Sequence, residues 1–164
     1  DKNRYGLSLV LGGGEVKLLE MAYAYSIFAN DGQKTPANFI KKIEDKNGNI
    51  VQEEQRWSYR IIESGLVREM NSILSDNEAR APVFGLNSAL YLPGFETAVK
   101  TGTTQNNVDG WCIGYTPNLV AGVWVGNNDN RPMSQSALNV AAPVWNAFMS
   151  EVLPTLPKQN FIRP

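Results

Sequence analysis

The chain has 164 residues, of which 43% are hydrophobic and 19% are charged, and this length can build one domain with a sizeable core but not two comfortable ones. The formal net charge is -1, and the basic residues are scattered, so no basic patch for nucleic acid or an anionic lipid surface is present. Without histidine and with one cysteine, the chain has no Cys/His zinc site or catalytic pair, and no metal or other cofactor is expected.

The first part of the chain predicts a turn followed by a helix. After the triple glycine at 12–14, apolar residues recur at helical spacing, at Val16, Leu19, Tyr23 and Ile27. The wide apolar face predicts a well-buried helix that stops at the Asn-Asp-Gly sequence of residues 30–32. A phosphate-binding loop is the alternative for the triple glycine, but the spacing fits neither a dinucleotide fingerprint nor a Walker loop, so a tight turn is favoured.

The middle of the chain predicts a hairpin and a second helix. Segments that favour strands flank Asn47-Gly48, a pair that suits a tight hairpin turn. A helix is predicted over residues 60–75, and residues 81–94 are interpreted as a connector. The apolar face of this helix is expected to carry Ile62, Leu66, Met70 and Ile73.

The last part of the chain changes period and predicts a sheet. Residues 95–103, 109–117 and 119–127 are three strand candidates joined by short connections, which is typical of an antiparallel meander. A final helix follows over residues 136–153, where Pro143 is expected only in a first turn or at a kink. Residues 154–164 are predicted to be an irregular tail. Cys112 lies between two glycines on one face of the second strand, so a packed, inert thiol is favoured.

Chemistry is concentrated in the Lys-Thr-Gly-Thr segment of residues 100–103. On an extended strand, Lys100 and Gly102 point one way and the two threonines the other. At the edge of a sheet, such a strand can bind an extended peptide, while its ammonium and hydroxyl groups suit a carboxylate and a backbone N–H suits an acyl-transfer oxyanion. The alternative is an ordinary threonine-rich strand that ends in a polar loop, and a four-residue motif alone does not exclude it.

Four segments carry a family resemblance: LSLVLGGGEVKLLEMAYAYSIFANDG, ILSDNEARAPVFG, VKTGTTQNNVDGWCIGYTPNLVAGVWVGNNDNRPM and AAPVWNAFM. In this order they resemble the C-terminal part of the transpeptidase domain of class A penicillin-binding proteins, from about Tyr5 to Met149. The resemblance implies an α+β fold with a mainly antiparallel sheet flanked by helices. Residues 1–153 would be an incomplete part of that domain, and residues 154–164 its tail.

The resemblance also implies roles for the motif. Lys100 would join the proton and hydrogen-bond network, and the N–H of Thr103 would form half of the oxyanion hole. The hydroxyl groups of Thr101 and Thr103 would hold the substrate carboxylate, and Gly102 and Thr104 would complete the substrate-binding strand. The family reaction is attack by a serine on a D-Ala-D-Ala stem peptide, followed by transfer of the acyl group to an amine. β-Lactams mimic the acyl donor.

The chain departs from the family pattern at the nucleophile. None of its ten serines is followed three residues later by lysine, which the family signature Ser-x-x-Lys requires. Ser75-Asp76-Asn77 matches Ser-x-Asn, the second signature, but it lies too close to Lys100 and is better interpreted as a polar cluster at a helix end. We therefore expect the nucleophile to lie upstream of Asp1, in a longer protein, and the present chain to be inactive alone.

The partners expected from the resemblance are the peptidoglycan stem peptide, β-lactams and the upstream remainder of the transpeptidase domain. The parent protein would be anchored on the extracytoplasmic face of the bacterial cell membrane, and no nucleic acid partner is expected. Exposed apolar surface and open strand edges predict marginal stability or self-association of the isolated chain. Two alternatives remain: a non-catalytic peptide- or β-lactam-binding or sensor module of the same fold, and a scaffold without a ligand.

Overall fold

The computed structural model describes residues 6–164 and shows an α+β architecture. The α-helices are α1 (Leu18–Ala29), α2 (Ser64–Ser75), α3 (Asn77–Phe84) and α4 (Ala137–Val152). The strands are β1 (Gln33–Lys34), β2 (Lys42–Glu44), β3 (Ile50–Glu53), β4 (Tyr59–Arg60), β5 (Ala98–Thr103), β6 (Asp109–Thr116) and β7 (Leu119–Gly126). Within this part of the chain, no helix is long and apolar enough to cross a membrane.

A three-stranded antiparallel sheet forms the centre of the molecule. Its strands follow the order β5-β6-β7, which confirms the predicted meander. Helix α4 packs on one face, where a Cβ added to Gly114 would lie 2.3 Å from the Trp145 ring. Glycine at this position therefore lets the fully buried indole lie directly on the strand. Helix α1 packs on the other face, where a Cβ at Gly122 would lie 3.0 Å from Leu18.

A second, smaller core joins β6 to helices α1 and α2. Tyr115 is fully buried, and its hydroxyl donates a hydrogen bond of 2.7 Å to Oδ1 of the buried Asn71. The amide of Asn71 in turn donates to the carbonyl of Phe28 at 3.0 Å. Burial raises the pKa of Tyr115, so the phenol stays protonated and keeps this hydrogen bond. The same cluster contains Phe161, which packs edge-on against Tyr115.

Helix α1 is confirmed, but its predicted burial is wrong. The helix ends at Ala29, and Gly32, with a φ of +86°, donates its N–H to the carbonyl of Ile27. The positive φ explains why glycine follows the helix. Ile27 is the buried residue of the helix, whereas Leu19 is exposed. The wide apolar face therefore did not predict the burial of the helix correctly, because the rest of the described chain covers only part of that face.

Helix α2 corrects two expectations. It begins at Ser64, because the carboxylate of Glu63 caps it by accepting the N–H groups of Gly65 and Leu66. Its buried positions are Val67 and Asn71, so the predicted apolar face is wrong. Three members of that face are exposed instead: Leu66, Met70 and Ile73. The helix carries one stripe through Leu66 and Ile73 and another through Val67 and Asn71, and periodicity alone does not tell which one lies on the sheet.

The junctions between elements were predicted with mixed success. The hairpin is confirmed: β2 pairs with β3, and Gly48 has a φ of +82°. The triple glycine is a turn, in which Gly12 donates its N–H to the carbonyl of Leu9. Residues 81–84 belong to α3 rather than to a connector.

The C-terminal part contains the predicted final helix but differs from its prediction in the tail. Pro143 is the seventh residue of α4, beyond the first turn, so the carbonyl of Asn139 receives no backbone N–H from it. The predicted irregular tail of residues 154–164 begins inside a short 3₁₀ helix, Leu153–Thr155, and only residues 156–164 contain no helix or strand, yet these pack on the body of the molecule. Phe161 is buried, and its N–H donates to the Glu96 carboxylate at 2.9 Å.

Candidate active site

Strand β5 forms one edge of the central sheet. It pairs with β6 in a regular register in which Lys100 lies opposite Ile113 and Thr103 lies opposite Gly110. Within residues 6–164, no strand pairs along its other side. The segment that carries the Lys-Thr-Gly-Thr motif is therefore a sheet margin, open to a peptide that adds as a further strand.

The backbone groups that face this open side follow from the ladder. The N–H of Thr104 donates to the carbonyl of Asp109 at 3.0 Å, so Thr104 points toward β6. In an antiparallel strand, successive residues direct their N–H and C=O groups to alternate sides. Thr103 and Thr101 therefore direct theirs to the open edge. The ammonium group of Lys100 donates to the carbonyl of Thr101, which agrees with a carbonyl that is not used in the ladder.

The side chains of the motif divide between the two faces of the sheet. Thr103 lies on the α4 face, where its Oγ1 accepts the N–H of Ala137 at 3.2 Å, at the start of that helix. Thr101 is on the same face and half-buried, whereas Lys100 is on the opposite face and exposed. Gly102 is exposed as well, and an added Cβ would only touch Trp111, at 3.6 Å. Packing among the described residues therefore does not require glycine at this position.

A polar clamp closes the loop after β5. The hydroxyl of Thr104 donates to the Asp109 carboxylate at 3.0 Å and accepts the N–H of Asp109 at 2.7 Å. The indole N–H of Trp124 donates to the other carboxylate oxygen, also at 3.0 Å. Thr104 can therefore donate to a substrate carboxylate only by releasing Asp109. Sequence reasoning missed Asp109, since the sequence offers no signal beyond an acidic residue at a strand start.

Two other candidate groups lie outside this margin. Cys112 is fully buried on the α4 side, and burial raises the pKa of its thiol to about 12, so it is an inert packed thiol, as predicted. Ser75 is the last residue of α2, and the carboxylate of Asp76 caps α3 by accepting the N–H of Ala79 at 2.8 Å. The Ser-Asp-Asn sequence is thus a helix-junction cluster, which confirms its interpretation.

Comparison with known proteins finds a matching family model and related proteins. Residues 6–150 match a family model described as the penicillin-binding protein transpeptidase domain. The chain is 35% identical to penicillin-binding protein 1A of Aquifex aeolicus, an alignment that covers 96% of this chain and 21% of that protein. The chain therefore spans about a fifth of the length of this relative.

Two solved structures have the same fold. The penicillin-binding protein PonA1 from Mycobacterium tuberculosis has a TM-score of 0.84 and 25% identity, covering 96% of this chain and 43% of that one. Penicillin-binding protein 1A from Haemophilus influenzae has a TM-score of 0.84 and 22% identity, covering 100% of this chain and 30% of that one. Together with the sheet described above, they confirm the expected fold class, a mainly antiparallel sheet flanked by helices.

Proposed function

The chain belongs to the family of penicillin-binding protein transpeptidase domains, and on that premise we propose that β5 is the substrate-binding wall of a peptidoglycan D,D-transpeptidase site. The observation that carries the proposal is the open edge of β5, to which Thr103 directs its N–H. An extended stem peptide can add along this edge by backbone hydrogen bonds. The peptide carbonyl that becomes acylated would then lie against a fixed donor.

Each residue of the motif has a role in this proposal. The N–H of Thr103 stabilises the oxyanion that forms when the carbonyl is attacked. Thr103 Oγ1 already accepts the Ala137 N–H, so its own hydroxyl proton is available for the substrate carboxylate. The positive end of the α4 dipole lies beside it and favours the same negative charge. Thr101 supplies a second hydroxyl, Gly102 lets the peptide approach, and Thr104 supports the end of the strand.

The reaction proposed for the parent protein is acyl transfer in two steps. A serine oxygen bonds to the carbonyl carbon of the penultimate D-Ala, and the terminal D-Ala leaves with a proton on its amine. An acceptor amine then takes the acyl group from the serine. Lys100 would take part in moving these protons, since the chain has no histidine. A β-lactam would acylate the same serine by opening of its ring amide.

The serine would come from a segment outside these 164 residues. The chain contains no Ser-x-x-Lys sequence, so we propose that it is inactive alone and completes the site with the rest of its domain. Residues 1–153 would form this part of the domain and residues 154–164 its tail. In the parent protein the site would lie on the extracytoplasmic face of the membrane, to which that protein is anchored.

Labelling with a fluorescent penicillin tests the proposal. In the parent protein, we expect Lys100→Ala to slow acylation by about 100-fold or more and Thr103→Val to slow it less, because the Thr103 N–H remains. The matched control is Lys46→Ala in the exposed hairpin turn, which should leave the rate unchanged. The isolated chain should take up no label.

Three outcomes would contradict this proposal. Covalent labelling of a serine within these 164 residues would place the nucleophile in the chain itself. An unchanged acylation rate in both Lys100→Ala and Thr103→Val would indicate that β5 is a scaffold without a ligand. A parent protein without Ser-x-x-Lys and Ser-x-Asn would favour the non-catalytic binding or sensor module.

A further inference from the structure

A polar groove with one aromatic wall lies outside the β5 site. It has a volume of about 360 Å³, within the range of about 300–1,000 Å³ that is usual for small-molecule sites. Its walls are residues 35–38, which follow β1, and residues 52–57, which run from the end of β3 into the connection to β4. No residue of β5 lines it, so its occupant is independent of the acylation site.

The aromatic wall of the groove is the indole of Trp57, which stacks on a neighbouring ring. Trp57 lines the groove and is 59% exposed, and its ring stacks on Tyr59 with a centroid distance of 5.4 Å and an interplanar angle of 17°. Tyr59 does not line the groove and covers one face of the indole, so the exposed remainder of the ring is the part of Trp57 that can meet a ligand. Tyr59 also pairs with Lys34 in the β1-β4 ladder. The indole is therefore a flat apolar platform held by the backbone of two strands.

The rest of the wall is dense in hydrogen-bonding groups of both kinds. The lining residues include Asn38, Gln52 and Gln55, whose side chains carry amide donors and acceptors, although Asn38 Oδ1 already accepts the N–H of Ile40 at 3.1 Å. The Glu54 carboxylate is only 15% exposed and lies 3.8 Å from Arg56 Nε, too far for a hydrogen bond, so its oxygens keep the capacity to accept.

The charge of the groove argues against several ligand classes. Among the lining residues, Glu53 and Glu54 carry carboxylates and Arg56 carries the guanidinium, which gives a small negative excess. This excess disfavours phosphate, nucleic acid and other anions. Only Pro36, Ala37 and Trp57 among the lining residues are apolar, so the groove suits a ligand with many polar groups better than a hydrophobic peptide side chain.

We propose that this groove binds an oligosaccharide of N-acetylated amino sugars. A pyranose ring has a flat C–H face that can stack on the Trp57 indole, while its hydroxyl and acetamido groups match the amide and carboxylate groups around it. The choice of N-acetylated sugars rests on the proposed function, because stem peptides are attached to a glycan of such sugars. The groove would thus hold the glycan of a substrate whose peptide binds elsewhere.

Titration of the chain with tetra-N-acetylchitotetraose tests the proposal. The chain has four tryptophans, so their indole N–H resonances can be followed separately by NMR. We expect a saturable shift of the Trp57 indole with a Kd of about 1 mM or below, and no shift of the buried Trp145. Trp57→Ala should weaken binding at least about tenfold, and Gln55→Ala by several-fold. The matched control is Phe39→Ala, because Phe39 is 81% exposed nearby but does not line the groove.

Other results would overturn the proposal. The absence of a saturable Trp57 shift in the wild-type chain would do so without any variant, which covers the case in which Trp57→Ala fails to fold. Equal weakening by Phe39→Ala would make the binding a general hydrophobic effect. Binding of lysine amide without binding of the oligosaccharide would assign the site to a cation. Equal binding of cellotetraose would overturn the choice of N-acetylated sugars. None of these readouts requires acylation, so a failure of the transpeptidase proposal would be seen separately.

Discussion

The two faces of the central sheet differ in how completely they are covered. On the α4 face, Trp145, Met149 and Cys112 are fully buried and form one continuous core. On the α1 and α2 face, Tyr115 is buried, but the outer stripe of α2 and much of α1 face solvent. The chain itself therefore covers the α4 face, which we call the closed face. Apolar residues remain exposed on the other face, which we call the open face.

This difference indicates which residues contribute to stability and which are available for function. The motif strand β5 starts buried, with Val99 in the core of the α4 face and Ala98 in the second core, and ends in residues 100–103, of which Thr101 is half-buried and the others are exposed. A buried first half thus holds a second half whose outer backbone edge is open to a ligand. We expect changes on the α4 face to affect folding, and changes on the open face to affect association or activity.

The largest expected effect is that of Trp145→Ala. The indole is fully buried against Gly114, and removing it should cost about 3–5 kcal/mol of unfolding free energy, which is a large part of the stability of a small domain. Urea unfolding followed by circular dichroism measures this cost. The matched control is Val144→Ala, because Val144 is the preceding residue and is exposed, so its loss should change stability by about 0.5 kcal/mol or less. Equal effects of the two changes would contradict a closed core on this face.

The closed face is also the part that the sequence predicted best. The change of period and the short connections located β5, β6 and β7, because these signals are local, and the predicted final helix of residues 136–153 agrees with α4 within one residue at each end. The edge position of β5 is not local. It depends on which strands pair, and neither composition nor periodicity distinguishes an edge strand from a central one.

The open face was predicted less well, for a physical reason. Helix α2 carries one stripe through Val67 and Asn71 and another through Leu66 and Ile73, and both have helical spacing. The buried stripe contains a polar residue, Asn71, whose cost is offset by hydrogen bonds to Tyr115 and Phe28 that only the folded chain reveals. The clamp of Thr104 by Asp109 escaped prediction for the same reason, since it joins two side chains across a loop.

A smaller effect is expected from acid on the junction of α1 and α2. Asp31 accepts hydrogen bonds from Arg68 at 3.0 Å and from Ser64 at 3.1 Å, and the bond from Arg68 is the main cause that lowers the pKa of Asp31 below its ordinary value of 3.8. Because the folded chain holds Asp31 ionised, this stabilisation is present above pH 3.8 and is lost as the pH falls through the lowered pKa. The Asp31 carboxylate is 25% exposed, so its interactions should contribute about 1 kcal/mol to the unfolding free energy.

Urea unfolding at pH 7 and at about pH 2.5 measures this contribution. Asp31→Asn should destabilise the chain at pH 7 and reduce the loss on acidification, and asparagine tolerates the φ of 50° at this position. The matched control is Asp129→Asn, because Asp129 forms an exposed ion pair with Arg131 that should contribute little. If the wild type and Asp31→Asn lose the same stability on acidification, Asp31 does not hold this junction.

The smallest effect on folding, and the sharpest test of the open face, is expected from the outer stripe of α2. Leu66 and Ile73 are 61% and 69% exposed, so replacing both by glutamine should change the unfolding free energy by about 0.5 kcal/mol or less per site. The same change should reduce self-association in sedimentation, because it removes apolar surface that two copies of the chain can bury against each other. Val67→Ala, on the buried stripe of the same helix, should do the opposite: a loss of about 1–3 kcal/mol with no decrease in association. A wild-type chain that sediments as a compact monomer would show that the open face does not drive association, and a large loss of stability in the glutamine variant would show that the stripe is packed after all.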